Sequence, residues 1–411
     1  MNLLWPGDER AGELFGDSAF LAAMAQVEEA WLDALVGAGI APRGARAALA
    51  SLAGAGDVAA LADGAEAGGN PVIGFVRLLR GRLGEGESAR WLHRGLTSQD
   101  TLDTALVLCL RDCVDRIELE LGRQAGALAR LAREHRGTLM AGRTLTQHAV
   151  PLTFGLKAAT WLSGLIDAAD ALRRARTSLP AQLGGAAGTL SAVVELAAGR
   201  GLADPVATAR EVVAVAAAAL DLPAATPWHT ARGPLTSTAD ALVGCADVWG
   251  HVAGDVALLG RPEIGELGEP SVEGRGGSST MPHKANPVLS LLIRRHALAA
   301  PTLAATLHGA AASYVDERPD GAWHAEWDTL RTLGRRSVVA ASQTTELLDG
   351  LRVDTDRMRA TALASYDGLH AEQLSMAALV DGSAAGDYLG AADAIIDTTL
   401  ARAATRWKEL S

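Results

Sequence analysis

The feature that most constrains this chain is a stretch, residues 102–135, that holds no proline and only Gly122 and Gly126 as weak points. Its apolar residues recur at helical spacing, which predicts a single helix of about 50 Å at 1.5 Å per residue. A rod of that length cannot bury its apolar face alone and needs partners of similar length. The sequence supplies them: residues 149–178, entered through Pro151 as a first-turn residue, residues 232–259 and residues 288–312 each read as long helices. Shorter helices are predicted at residues 18–37, 42–52, 71–83 and 322–348, with a further set after Asp354. Breaks fall at residues 84–88, 179–188, 222–227 and 262–282. The expectation is an all-α protein. It has a small N-terminal helical domain over residues 1–95, a central bundle of long helices over residues 96–350 that carries a polar loop, and a short C-terminal helical domain over residues 351–411.

Charge and composition narrow the classes of function. Lys and Arg number 37 against 48 Asp and Glu, a net charge of −11. That balance argues against sequence-independent binding of nucleic acid or an anionic membrane, while leaving room for a local basic pocket that takes a small acid. The first twenty residues carry Asp8, Glu9, Glu13 and Asp17 and have neither a basic start nor an apolar run, so they do not read as a signal peptide. The longest purely apolar run, residues 212–220, is too short to cross a bilayer. Three cysteines, Cys109, Cys113 and Cys245, cannot build a disulfide framework, and the expectation is a reducing, cytoplasmic setting. Cys109 and Cys113 share a helix face without a neighbouring Cys or His pair, which reads as core and not as metal ligands. A mean hydropathy of +0.14 is high for a chain with no membrane segment. Alanine richness is one explanation and extra apolar area buried between subunits is the other; the second is favoured, and oligomerisation is expected.

Three segments carry the chemistry. The most informative is residues 273–287, EGRGGSSTMPHKANP. The chain has only three lysines (Lys157, Lys284, Lys408) and three asparagines (Asn2, Asn70, Asn286), yet one of each stands here two positions apart. An ordinary solvated loop would have drifted to Arg and Asp like the rest of the sequence. The second segment, residues 93–104, HRGLTSQDTLDT, places Thr97, Ser98 and Asp100 as N-cap candidates at the start of the longest helix. Helix N-termini with free N–H groups and hydroxyls also bind carboxylates, although by itself this segment reads as a cap. The third, residues 142–154, GRTLTQHAVPLTF, sets Thr144, Thr146, Gln147 and His148 before another predicted helix start. The second and third segments lie at opposite ends of the same rod. If both serve one site, that site is shared between subunits.

Together these segments resemble the fumarase/aspartase superfamily, and the match covers most of the chain. GSSTMPHKANP is similar to the family's signature loop, while HRGLTSQDTLDTA and GRTLTQHAVPLTFGLKAA are similar to its two other shared regions. The resemblance implies an all-helical homotetramer with active sites built from three subunits, no cofactor or metal, and elimination or addition next to a carboxylate. Ser278, six residues before the lysine, corresponds to the proton-abstracting serine. Lys284 and loop N–H groups would lower its pKa. Lys284, Asn286, Thr97 and Ser98 would stabilise the doubly charged carboxyl of the intermediate. Thr146, Gln147, His148, His93, Asn70, Arg232 and His229 complete the implied substrate-binding set, with His148 and His229 as candidate acids.

Departures from the family pattern bear on the branch. Fumarases and adenylosuccinate lyases usually carry a His after the RT of the third segment and a Glu seven residues after the signature lysine. Those positions are Leu145 and Leu291 here. A chain lacking both is poorly equipped to protonate a departing amine or hydroxide and is suited to a leaving group that is already a stable anion. The strongest branch resemblance is to 3-carboxy-cis,cis-muconate cycloisomerases, carried by GGSSTMPHK, TSQD, TQHAVP, PWHT (residues 227–230) and GAWHAEW (residues 321–327). Trp323 and Trp327 are also at core-like i,i+4 spacing. Ala285 replaces the usual Arg of that branch, Ala231 and Pro234 replace a Gln and a second Arg, and Gly74 replaces a Pro. The lost groups suit carboxylates, which puts a tricarboxylic substrate in doubt more than the chemistry. The partner expected is therefore a small di- or tricarboxylate. A C–N lyase such as a nitrosuccinate lyase is the alternative, and adenylosuccinate-type chemistry fits less well. Retention of Ser278, Lys284 and Asn286 argues against a catalytically silent structural member.

Overall fold

The computed structural model describes residues 2–277, 280–281, 284–318, 320–384 and 386–408. The chain is helical nearly throughout. In order the helices are α1 (Asp17–Gly37), α2 (Val58–Gly68), α3 (Val72–Leu83), α4 (Glu87–Trp91), α5 (Ser98–Glu134), α6 (Phe154–Thr177), α7 (Ser191–Gly199) and α8 (Pro205–Ala219). There follow α9 (Gly233–Leu259), α10 (Val288–Ala312), α11 (Gly321–Asp349), α12 (Thr355–Ala364), α13 (Tyr366–Leu379) and α14 (Ala392–Arg406). Two small antiparallel pairs interrupt them: β1 (Leu139–Thr144) with β2 (Gln147–Thr153), and β3 (Leu267–Gly268) with β4 (Arg352–Val353).

The rod predicted from the sequence is α5, whose 37 residues span about 55 Å at 1.5 Å per residue. Its buried stripe runs Leu102, Leu106, Cys109, Cys113, Ile117, Leu121, Gln124, Leu128 and Ala132, in steps of three or four as one helix face requires. Thr97 is the residue before its first turn, and the Asp100 carboxylate accepts the Thr97 N–H at 2.9 Å. Asp100 is thus not the N-cap itself but the third residue reaching back to it, one half of a capping box.

The chain divides into two compact units, and each long helix contributes to both. The first comprises residues 1–116, 173–242 and 301–338. Here α1 packs on α8, and the fully buried Trp31 donates from Nε1 to the Arg94 carbonyl at 2.8 Å. Cys109 and Cys113 sit in this core, and burial raises both thiols, Cys109 to about 12, which leaves them unreactive. Trp323 is buried and Trp327 lines an apolar cavity of about 330 Å³ beside Phe20, Leu61 and Leu102. Their rings meet edge to face at 4.8 Å between centroids.

The second unit comprises residues 117–172, 243–300 and 339–411. Its centre is Gln124, buried on α5. Its Oε1 accepts from Trp249 Nε1 on α9 at 2.9 Å, and its Nε2 donates to the Ala341 carbonyl on α11 at 2.9 Å. A buried amide satisfied on both sides ties three helices together without an orphaned polar group. The C-terminal helix α14 is held by Arg406, which pairs with Glu118 at 2.8 Å and Asp170 at 3.0 Å. Helix α9 has the length and apolarity of a membrane span, yet Leu242, Cys245, Trp249 and Ala253 along it are buried in the protein as in a core helix.

Two local expectations change. Residues 42–52 form two short 3₁₀ turns, Arg43–Ala45 and Ala50–Leu52, instead of a helix. The third chemical segment is not a helix start but the β1–β2 hairpin, with Pro151 inside β2 opposite Ala141 and α6 beginning only at Phe154. The two-residue turn holds Leu145 at φ 47° and Thr146 at φ 72°, the paired left-handed conformations of a tight hairpin. Neither residue is the Asn or Gly that ordinarily announces one, so the turn is invisible in the sequence.

Candidate active site

In the first unit the site grows from the N-terminus of α5. Asp100 is fully buried, and its carboxylate gathers five donors. These are the backbone N–H groups of Thr97, Gly184 and Gly185 at 2.9 Å each, Gln182 Nε2 at 3.3 Å and His229 Nε2 at 3.0 Å. One side chain therefore fixes the helix start, the glycine-rich loop at 184–188 and the PWHT segment against one another. Thr97 and Ser98 are half-buried, and their hydroxyls bond to no described residue. They remain available to a ligand at a helix N-terminus.

Beside this hub His93 sits at φ 62°, an uncommon conformation for a residue with a side chain. Its Nδ1 meets Glu28 Oε1 at 2.7 Å, and Thr101 Oγ1 donates to the same oxygen at 2.8 Å. Burial disfavours the charged imidazole, but the charge and hydrogen bond of Glu28 outweigh it and raise the His93 pKa. Asn70 is placed as a cap: its Oδ1 accepts the Val72 N–H at 3.1 Å and its Nδ2 donates to the Gly68 carbonyl at 3.3 Å.

Arg232 is placed differently from the expectation. Its guanidinium is fully enclosed, pairing with Asp103 at 2.6 Å and Glu326 at 2.6 Å and lying over the Trp228 ring at 4.7 Å. Asp103 also accepts from Gln99 Nε2 at 3.1 Å and Trp323 Nε1 at 2.8 Å. Burial lowers the Arg232 pKa, but the two carboxylates more than restore it and the net shift is upward. With its donors directed at protein carboxylates, Arg232 is a structural cation and not a group that faces substrate. His229, buried next to Trp228, is held by its backbone carbonyl, which accepts from Gln99 Nε2 at 2.9 Å.

The second unit holds the other expected residues. Thr146, Gln147 and His148 are exposed along the hairpin tip. Gln147 Nε2 donates to Thr146 Oγ1 at 3.3 Å, and His148 Nδ1 meets Ser365 Oγ at 2.7 Å, which leaves its Nε2 outward. The hairpin stem is fixed by Arg143, bidentate on the buried Glu266 at 2.6 and 2.9 Å. Leu145 is 95% exposed and Leu291 is 49% exposed, so nothing at either position offers a proton.

The signature loop is anchored at both ends. At its start the Glu269 carboxylate accepts the Leu289 and Ser290 N–H groups at 3.0 and 2.6 Å, capping α10. Near its end Asn286 donates both its backbone N–H and its Nδ2 to the Gly276 carbonyl, at 2.8 and 3.0 Å. Gly276 has φ 74°, and a Cβ there would stand 2.5 Å from the Asn286 carbonyl oxygen, so only glycine permits the closure. Lys284 is exposed and makes no ion pair with a described residue. Ser278 lies outside the described residues.

The structure thus gathers Thr97, Ser98 and His229 around Asp100, with His93 paired nearby. Asn70 and Arg232 serve the fold of the first unit, while Lys284, Asn286, Thr146, Gln147 and His148 belong to the second. Sequence reasoning missed the hub role of Asp100 and the partners Glu28, Asp103 and Glu326. An acidic residue at the third position of a helix signals a cap; no local pattern signals contacts 84 or 129 positions away.

A family model described as Lyase matches residues 66–300 of this chain. The chain belongs to the fumarase/aspartase superfamily. It is an enzyme of that group of lyases and cycloisomerases. The nitrosuccinate lyase of Streptomyces davaonensis is 47% identical over 348 residues, 84% of this chain and 73% of that one. A 3-carboxy-cis,cis-muconate cycloisomerase of Bradyrhizobium diazoefficiens is 42% identical over 324 residues, 78% of this chain and 69% of that one. The crystal structure of the 3-carboxy-cis,cis-muconate lactonizing enzyme from Pseudomonas putida matches with a TM-score of 0.80 at 34% identity, covering 97% of this chain and 86% of that one.

Proposed function

We propose that this enzyme catalyses cofactor-free elimination or addition of a stable anion beside a carboxylate, with Ser278 as the base. Lys284 and Asn286 bind the carboxyl group whose charge grows when the neighbouring carbon loses its proton. Thr97 and Ser98 at the head of α5, and Thr146, Gln147 and His148 at the hairpin tip, hold the remaining polar groups of the substrate. The observation that carries this reading is the pair Leu145 and Leu291: both places where related enzymes keep an acid hold leucine, and both are open to solvent. An amine or hydroxide needs a proton to leave; nitrite or a carboxylate does not.

The substrate class placed first is a substituted succinate that loses nitrite to give fumarate. Ala285 and Ala231 remove groups suited to carboxylates, and the enclosure of Arg232 removes a third. A site with fewer carboxylate ligands suits two carboxylates better than three. The second reading is lactone closure of 3-carboxy-cis,cis-muconate, favoured by the segments shared with that branch. An ultraviolet assay of the purified protein on both compounds decides: fumarate and nitrite from nitrosuccinate establish the first, loss of diene absorbance from the muconate establishes the second, and silence with both refutes the reading.

We further propose a cytoplasmic homotetramer with sites shared between subunits and the division into domains at 95/96 and 350/351. The 37-residue α5 separates its two chemical ends by its whole length, which favours assembly of each site from more than one chain. Mixing inactive Ser278→Ala and His148→Ala proteins should restore part of the activity once subunits exchange; no recovery after verified exchange counts against sharing.

A further inference from the structure

The chain that enters the signature loop runs antiparallel along the end of α11 and the residues after it, contact by contact. In β3, Leu267 and Gly268 pair with Val353 and Arg352 of β4. One residue on, the Glu269 carbonyl accepts from Arg352 Nε at 2.9 Å. Pro270 then lies against Gly350, where an added Cβ would stand 2.6 Å from the Pro270 Cβ, so only a residue without a side chain allows the approach. Residues 271–274 leave this track and are exposed. Arg275 returns to it: its Nη2 pairs at 2.5 Å with Oε1 of Glu346, which lies one turn before Gly350.

The pair stands where the backbone is otherwise free to turn. Gly274 and Gly276, on either side of Arg275, have φ 78° and 74°, and glycine passes between conformations with no side chain to oppose it. Gly276 is held from the α10 side by Asn286, and Arg275 beside it is held from the α11 side by Glu346. The two side chains of the pair are 22% and 30% exposed. They are shielded enough for a charge-assisted contact to count for more than a pair open to water. The other described charged side chains of the loop, Glu273 and Lys284, are exposed and make no ion pair with a described residue.

We infer that Glu346, acting through Arg275, is a positioning residue for the signature loop. It fixes the loop entry against α11, and through the Gly276–Asn286 contact it fixes the stretch that carries Asn286 and Lys284. Its effect on rate rests on the reaction proposed above; its effect on the loop rests on the contacts alone. A shift of about 1 Å in a group that must meet a developing charge costs up to about a hundredfold in rate, so a tie remote from the substrate reaches the chemistry through placement.

The test uses the full-length enzyme with Glu346→Gln, Arg275→Met, their double variant and Arg275→Lys. With the substrate that wild type turns over, each of the first two should lower kcat about tenfold while KM stays within about threefold. The double variant should also lose only about tenfold, because both changes remove one pair. Arg275→Lys keeps the charge for a single-point contact and should retain about half of the wild-type kcat. Amide deuterium exchange gives a readout that needs no turnover. Peptides holding the hydrogen-bonded N–H groups of Arg275 and Asn286 should exchange about tenfold faster in Glu346→Gln and Arg275→Met, with residues 102–135 unchanged. If Glu346→Gln does not fold, Arg275→Met, a change within the loop, carries both readouts. Losses that multiply in the double variant, unchanged kcat in the single variants, or unchanged exchange overturn the inference while leaving the proposed reaction intact. Absence of wild-type turnover with both substrates named above overturns the reaction, and the exchange measurement then decides the inference by itself.

Discussion

The polar cluster at the head of α5 and the polar groups of the hairpin and signature loop are built on opposite plans. Around Asp100, Asp103 and Arg232 nearly every donor and acceptor is closed within the chain, at 0–5% exposure for Asp100, Asp103, Arg232 and His229. At the hairpin tip and in the loop Thr146, Gln147, His148 and Lys284 are exposed, and the ties there include Arg143 on Glu266, Glu269 on the start of α10 and Asn286 on Gly276. The first region is finished by the fold. The second presents groups that something else must complete, whether substrate or a neighbouring chain. The contrast separates residues whose loss should cost stability from residues whose loss should cost only rate.

The largest effect expected falls on rate alone. Ser278→Ala should abolish turnover, a loss beyond about a thousandfold, while substrate affinity stays within about tenfold. Retained turnover, measured with the active substrate, would remove Ser278 from the chemistry. Next comes the opposite extreme. Arg232→Met leaves Asp103 and Glu326 buried without their cation, and breaking such a pair typically costs about 3–5 kcal/mol. Glu326 already has its pKa raised, chiefly by burial, even with the arginine beside it. A melting temperature unchanged in that variant would show that the enclosed ion pair contributes nothing, and the contrast between the regions would collapse. Lys284→Met should read the other way: kcat/KM lower by about a hundredfold, with a melting temperature close to wild type because the ammonium pairs with no described residue.

How much of this was legible in the sequence follows the same line. Helix periodicity is local, and it gave α5, α9, α10 and α11 to within a few residues, because an apolar stripe of that length at helical spacing has no competing structure. The residue types at the chemical segments were also legible, since scarcity of Lys and Asn elsewhere made Lys284 and Asn286 conspicuous. The hairpin was not, because a turn made by Leu145 and Thr146 at positive φ depends on pairing between β1 and β2 and not on local propensity. Nor was the fate of Arg232, for an arginine after PWHT reads alike whether it meets a substrate carboxylate or Asp103 and Glu326. Only the distant elements decide, and they lie 129 and 94 positions away.

The finest difference between the regions is electrostatic and can be read from pH. The His93–Glu28 pair belongs to the closed region, and the His93 pKa is raised in the folded chain because Glu28 outweighs burial. A histidine whose folded pKa exceeds its unfolded value stabilises the fold fully below the unfolded value, about 6.5, and loses that contribution as pH rises through the folded value. His93→Gln should therefore melt below wild type at about pH 6, by an amount on the order of 1 kcal/mol, and the gap should narrow towards about pH 9. Taking the difference between the two proteins at each pH cancels the titration of every group they share. A His93 gap that is constant or widens with pH would show that Glu28 does not hold a charged imidazole there, and the closed cluster would then be one of neutral hydrogen bonds around Asp100.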